Sequence, residues 1–306
     1  MSYSRPNDPN GAQRGRRALR CGRVLGALSW LVCGASSAFG ADEVLRNIEY
    51  AQVGTNSLKL DLYKPAQPKS PLLVFVHGGG WREGSKESMP LGALVKEGYA
   101  IASINYRLSP EAQFPAQAHD IKAALRFLRA QQKQLGIAAE RIVIVGGSAG
   151  GHLAALVGVS NGNKALEGTV GADTNQSSDV QGIISLFGAS DLTTILAQST
   201  PKGRIFRAQA LQLLLGGQPE EKTELAKLAS PVAHVDAHAP PLLLIHGDAD
   251  PQMPPEQSRA LAAAYERAQR PVQLVLIPSA VHGGKPFYDA DRIALMKAFL
   301  QKLAAD

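Results

Sequence analysis

Two kinds of apolar block alternate along the chain. Leu58–Tyr63 changes character at every residue, with Leu58, Leu60 and Leu62 on one side and Lys59 and Asp61 on the other, the period of a half-buried strand. Leu72–Val76 is an unbroken apolar run of strand length and Tyr99–Ile104 another, polar only at Ser103, as expected of strands buried on both faces. Ile142–Val145, Val180–Leu186, Leu242–Ile245 and Val272–Ile277 are further runs of strand length. Between them, residues 117–134 set Ala118, Ile121, Leu125 and Leu128 on one helical face, and Ala149–Val159 suits a helix. Residues 291–303 form a closing amphipathic helix with Ile293, Met296, Phe299, Leu300 and Leu303. Strands alternating with helices predict an α/β domain, its mostly parallel sheet covered on both faces. Residues 191–229 break the rhythm with Leu211–Leu215, two glycines and a charged run from Glu220 to Lys227. They are expected to be a helical insertion between two strands, either capping a site or making a surface excursion.

The amino-terminal residues follow another pattern. Arg14, Arg16, Arg17, Arg20 and Arg23 precede an apolar run from Val24 to Cys33, and small residues follow to Ala41. Basic, apolar, then small is the order of a secretory signal. Residues 1–40 are therefore expected to be a signal peptide cut near Gly40/Ala41, residues 41–306 one domain, and the mature protein periplasmic or secreted. A retained membrane anchor is the alternative, although the run is short for a span. The residues after Arg16-Arg17 fit a twin-arginine signal poorly, and Cys33 follows Val32 rather than a small residue, against a lipoprotein anchor. The leader changes the meaning of the charge. It holds six arginines and one aspartate, so only +1 of the chain's +6 remains without it. No basic patch points to nucleic acid. Cys21 and Cys33 also fall in the leader, which leaves the mature chain without a thiol, disulfide or cysteine metal site.

Candidate chemistry clusters at strand ends. In Arg141–Leu156, RIVIVGGSAGGHLAAL, a strand runs into Gly146-Gly147-Ser148-Ala149-Gly150 and a helix follows. This is G-x-S-x-G in its strand–turn–helix context. Gly146 and Gly150 would remove side chains that collide at so sharp a turn, and Ser148 would stand at a helix N-terminus that favours developing negative charge. A serine nucleophile needs a base and the base an orienting carboxylate. His282 in IPSAVHGG and Asp250 in LLLIHGDADPQMP each follow a strand, in the order Ser148, Asp250, His282. Asp248 is the other candidate acid, but it is expected to shape its turn. Of the other histidines, His77 and His246 end strands before glycine and are expected to hold loops. His152 is expected to pack beside the nucleophile helix, and His119, His234 and His238 have no evident partner. None of the seven has metal-ligand spacing. In Phe75–Trp81, FVHGGGW, three bare glycines would let backbone N–H groups approach a developing oxyanion. The expected donors are the N–H groups of Gly79, Gly80 and Ala149. Trp81 is expected either to line the substrate pocket or simply to pack.

These segments, with NYRLSPEAQFPAQAHDIKAALRFLRA, LLGGQPEE and ASPVAHV, resemble α/β-hydrolase esterases over roughly residues 55–300. The likeness is to the bacterial branch of bifunctional acetylxylan and feruloyl esterases, near the hormone-sensitive-lipase-like esterases. It implies an α/β-hydrolase fold, an acyl-enzyme mechanism through Ser148, His282 and Asp250, no cofactor or metal, and short-chain acyl or feruloyl esters of carbohydrates as substrates. Gln252-Met253 depart from the two apolar residues common in relatives, a difference expected to affect packing near Asp250. The same triad suits amide, formamide or peptide hydrolysis, and an α/β-hydrolase-like binding protein without turnover is a further alternative. The expected partner is a small-molecule or polysaccharide ester, with neither nucleic acid nor a membrane span in the mature protein, which is expected to be a monomer or homodimer.

Overall fold

The computed structural model describes residues 42–305; the proposed signal peptide and its cleavage site lie outside the described residues. Eight strands form one sheet: β1 (Glu43–Val53), β2 (Asn56–Lys64), β3 (Lys69–Val76), β4 (Tyr99–Ile104), β5 (Ile142–Gly147), β6 (Gly182–Leu186), β7 (Leu242–Gly247) and β8 (Val272–Ile277). Their order is β1-β2-β4-β3-β5-β6-β7-β8. β1 pairs with β2, and β2 with β4, antiparallel; every later pairing is parallel. This is the α/β-hydrolase sheet, and it bears out the expected fold class.

The unbroken apolar runs divide their side chains between two helical layers. Leu72, Val74, Val76, Ile142 and Ile144 face one side, with α1 (Ala116–Ala130), α2 (Ala149–Val159) and α3 (Glu256–Arg267). Leu73, Phe75, Val143 and Val145 face the other, with α4 (Ala290–Ala305). A strand covered on both faces favours apolar side chains at nearly every position, which is why these segments read as apolar runs; the polar exceptions, Ser103, Ser185 and His246, are buried and hydrogen-bonded. Among the described residues no helix is long and apolar enough to cross a membrane.

The structure corrects three sequence-level expectations. The polar segment before Leu58 is β1, an edge strand whose register shifts at Leu45/Ile48 and at Glu49/Ala51. Those irregularities and its mostly exposed side chains erase the alternation that would have revealed it. Asp61, placed on the polar side of β2, is fully buried. Lys86 Nζ lies 2.8 Å and Arg46 Nη1 2.7 Å from its oxygens, so its charge is paired where it is desolvated. The helix expected over 117–134 stops at Ala130, and a separate short helix covers Gln132–Leu135.

Residues 191–229 are helical, with segments at Ile195–Gln198, Pro201–Leu215 and Thr223–Leu228. Local chemistry sets the start of the long one. Thr200 accepts the N–H of Gly203 through its hydroxyl, and Pro201 occupies the first turn.

Candidate active site

β5 delivers Ser148 to the carboxyl edge of the sheet, where open α/β sheets place their sites. Ser148 has φ 57° and ψ −121°, outside the regions that L-residues ordinarily occupy. The surroundings enforce this. A Cβ on Gly146 would stand 2.2 Å from the Gly150 carbonyl oxygen, and one on Gly150 only 2.1 Å from that of Val76. The Ser148 N–H is fixed to the Leu186 carbonyl at 2.9 Å, and its carbonyl accepts the His152 N–H at 3.0 Å.

His282 and Asp250 arrive from the loops after β8 and β7. Asp250 Oδ2 lies 2.7 Å from His282 Nδ1, and His282 Nε2 lies 2.8 Å from Ser148 Oγ. A carboxylate only accepts, so the imidazole proton sits on Nδ1, leaving Nε2 to accept from the serine hydroxyl. The other oxygen of Asp250 accepts the N–H groups of Gln252 at 2.8 Å and Met253 at 2.9 Å. Burial works against the charged carboxylate, but hydrogen bonds from His246 and His282, with the Met253 N–H, hold it well below the usual carboxylate range. His246 supports this carboxylate: its Nε2–H donates to the Met253 carbonyl and lies 3.4 Å from Asp250 Oδ2, while Nδ1 bonds the Ser258 hydroxyl. Phe187, just past β6, sets its ring edge-on to the His282 imidazole at 4.9 Å.

The glycine run forms the opposite wall. Gly79 has φ 110°, and a Cβ there would meet the Glu83 carbonyl oxygen at 2.0 Å. Its carbonyl turns away to accept the N–H groups of Arg82 and Glu83. Gly79, Gly80, Ala149, Ser148 and His282 line one cavity of about 960 Å³. Trp81 also lines it, yet is 2% exposed, and its indole N–H donates to His152 Nδ1 at 3.0 Å. Trp81 thus both borders the cavity and packs against the helix that follows Ser148. His152 Nε2–H donates in turn to the Ala229 carbonyl at 2.7 Å, and burial pushes the imidazole down to about 4.

The remaining sequence candidates fall outside this cluster. Asp248 accepts the Ser279 N–H at 2.7 Å and so ties the loop after β7 to the loop after β8. His77 Nδ1–H donates to the Gly78 carbonyl at 2.8 Å, and its ring stacks on Tyr106. His234 donates to the Leu228 carbonyl. Sequence reasoning missed the pocket residues of the insertion, Thr200, Lys202, Gly203, Phe206, Arg207 and Ala210. Their helix carries no motif, and only its place between two strands pointed toward the site. Phe187 had a fainter signal, its position at the carboxyl end of a strand.

A family model described as BD-FAE matches residues 60–265. Esterase LipQ of Mycobacterium tuberculosis is 33% identical over 246 residues, covering 77% of this chain and 56% of LipQ. The chain thus spans about half the length of the mycobacterial esterases it matches. Among solved structures, a truncated carbohydrate esterase from gut microbiota is similar, with TM-score 0.77 and 31% identity, covering 86% of this chain and 97% of that one. Esterase 2 of Thermogutta terrifontis, solved phosphorylated by paraoxon, has TM-score 0.68 and 28% identity, covering 87% and 95%.

Proposed function

The chain belongs to the BD-FAE family of α/β-hydrolase esterases, and from that premise we propose that it is an exported serine carboxylic-ester hydrolase acting through an acyl-enzyme. The observation that carries this reading is the unbroken run of hydrogen bonds from Ser148 Oγ through His282 to Asp250 on the wall of a large cavity. Ser148 Oγ attacks the ester carbonyl carbon while its proton passes to His282 Nε2. The C=O electrons move onto oxygen, and the N–H groups of Gly79, Gly80 and Ala149 meet that charge. Each such donor contributes about 10²–10³ in rate. Collapse breaks the bond to the alcohol oxygen, which takes the proton from Nε2. Water then attacks the acyl-serine, giving its proton to Nε2, and the second collapse releases the acid and returns the proton to Ser148. Asp250 holds the imidazole tautomer and stabilises the imidazolium in both halves.

Short-chain acyl or feruloyl esters of carbohydrates are the proposed substrates, supported by the likeness to a gut-microbiota carbohydrate esterase. The basic–apolar–small order of residues 1–40 supports export with cleavage near Gly40/Ala41. Paraoxon tests the nucleophile. Ser148 displaces p-nitrophenolate at phosphorus, so the protein should gain one diethylphosphoryl group on the peptide carrying Ser148. The Ser148→Ala variant should gain none. Labelling of another residue, equal in both proteins, would remove Ser148 from this role.

A further inference from the structure

The insertion brings into the pocket a charge that ester hydrolysis itself does not use. Arg207 lies on the Pro201–Leu215 helix, is only 6% exposed, and lines the same cavity as Ser148 and His282. Its Nη1 donates to Ser199 Oγ, which is neutral. Among the described residues it forms no ion pair with a carboxylate. The nearby carboxylate of Asp250 is already engaged by His282, His246 and two backbone N–H groups. A buried guanidinium paired only with a hydroxyl keeps most of its desolvation penalty. Burial lowers its pKa to about 10, offset in part by Asp250, so it stays charged at neutral pH. Lys202 and Arg82 line the cavity too, against a single acidic lining residue outside the triad, Glu83.

We propose that Arg207 forms an anion subsite, so that the preferred ester carries a carboxylate, as a sugar acid or a dicarboxylic acyl group does. This rests on the esterase reading and deepens it. The guanidinium offers a planar fork that a carboxylate can bridge with two parallel hydrogen bonds. Pairing would release the desolvation penalty only when the matching substrate is bound. Arg207 also sits beside the loop that carries Asp250: a Cβ on Gly203 would approach both the Pro251 carbonyl oxygen, at 2.9 Å, and Arg207 Nη1, at 3.7 Å.

The test compares kcat/KM of the full chain, of Arg207→Gln and of Arg207→Lys on two matched pairs of esters. The acyl pair is the p-nitrophenyl monoester of glutarate against p-nitrophenyl valerate. The alcohol pair is 3-carboxyphenyl acetate against 3-methylphenyl acetate, with spontaneous hydrolysis subtracted throughout. In one pair, Arg207→Gln should lower the carboxylate-to-neutral ratio about tenfold or more, mainly through KM, and Arg207→Lys should restore part of it. The responding pair identifies which half of the ester carries the charge. A partly unfolded variant lowers both members of a pair together, so the ratio stays readable. Ratios unchanged in both pairs, with all four esters hydrolysed, overturn the anion subsite and leave the esterase reading intact. If wild type hydrolyses none of them faster than Ser148→Ala, the esterase reading fails and the subsite falls with it.

Discussion

Ser148 and His152 lie one helical turn apart and show two uses of an unusual residue environment. Ser148 is held in a backbone conformation that costs on the order of 1–3 kcal/mol, and the neighbouring close contacts keep it there. His152 is wholly buried and neutral between the Trp81 indole and the Ala229 carbonyl, tying the wall beside the glycine run to the end of the insertion. That neutrality has a pH consequence. Burial lowers the folded imidazole to about 4, against about 6.5 for an unfolded histidine. Between those values the unfolded chain binds the proton and the folded one does not, so unfolding free energy rises with pH. The contribution is fully present above about pH 6.5 and is lost as pH falls toward 4, with an upper size of about 3 kcal/mol. Chemical denaturation from pH 7 to pH 4 should show this loss in wild type and a flatter profile in His152→Gln. Parallel profiles would mean that His152 does not titrate as a buried neutral group.

At the scale of elements, the strand–turn–helix from β5 into α2 depends on backbone approach more than on side-chain packing. Gly150→Ala would press a methyl group against the Val76 carbonyl, at the end of β3. Either β3 or α2 must then move, and thermal unfolding should show a loss of about 3 kcal/mol or more. Gly92→Ala is the control: a Cβ there meets nothing within 4 Å, and the change should stay within about 0.5 kcal/mol. A small effect at Gly150 would show that the turn tolerates displacement. These elements were readable in the sequence because their constraints are local. The runs of β3, β4, β5 and β7 and the glycines of the turn announce themselves through composition. β1 was not readable, because its irregular pairing leaves no period. Nor was the role of Arg207, since one arginine among the basic residues of a surface-like helix shows no sign that the fold will bury it.

Across the whole molecule, distant segments converge on one sheet edge. Asp61 on β2 binds Arg46 on β1 and Lys86 in the segment after the glycine run. The Lys86 N–H donates to Asn105 Oδ1 at 2.7 Å, and its carbonyl accepts from Ser103 Oγ, also at 2.7 Å, just past and within β4. β1 and β2 thus help fix the segment that follows Gly79 and Gly80, although neither strand lines the cavity. The order Ser148, Asp250, His282 was legible because each residue follows a strand. What the sequence withheld was the far wall of the cavity, which exists only once the insertion folds over the site. If Ser148 is the nucleophile of an ester hydrolase, kcat/KM for p-nitrophenyl acetate must depend on its hydroxyl. Wild type should turn the ester over, and Ser148→Ala should lose about 10³-fold or more. Equal rates in the two proteins would mean that Ser148 is not the nucleophile.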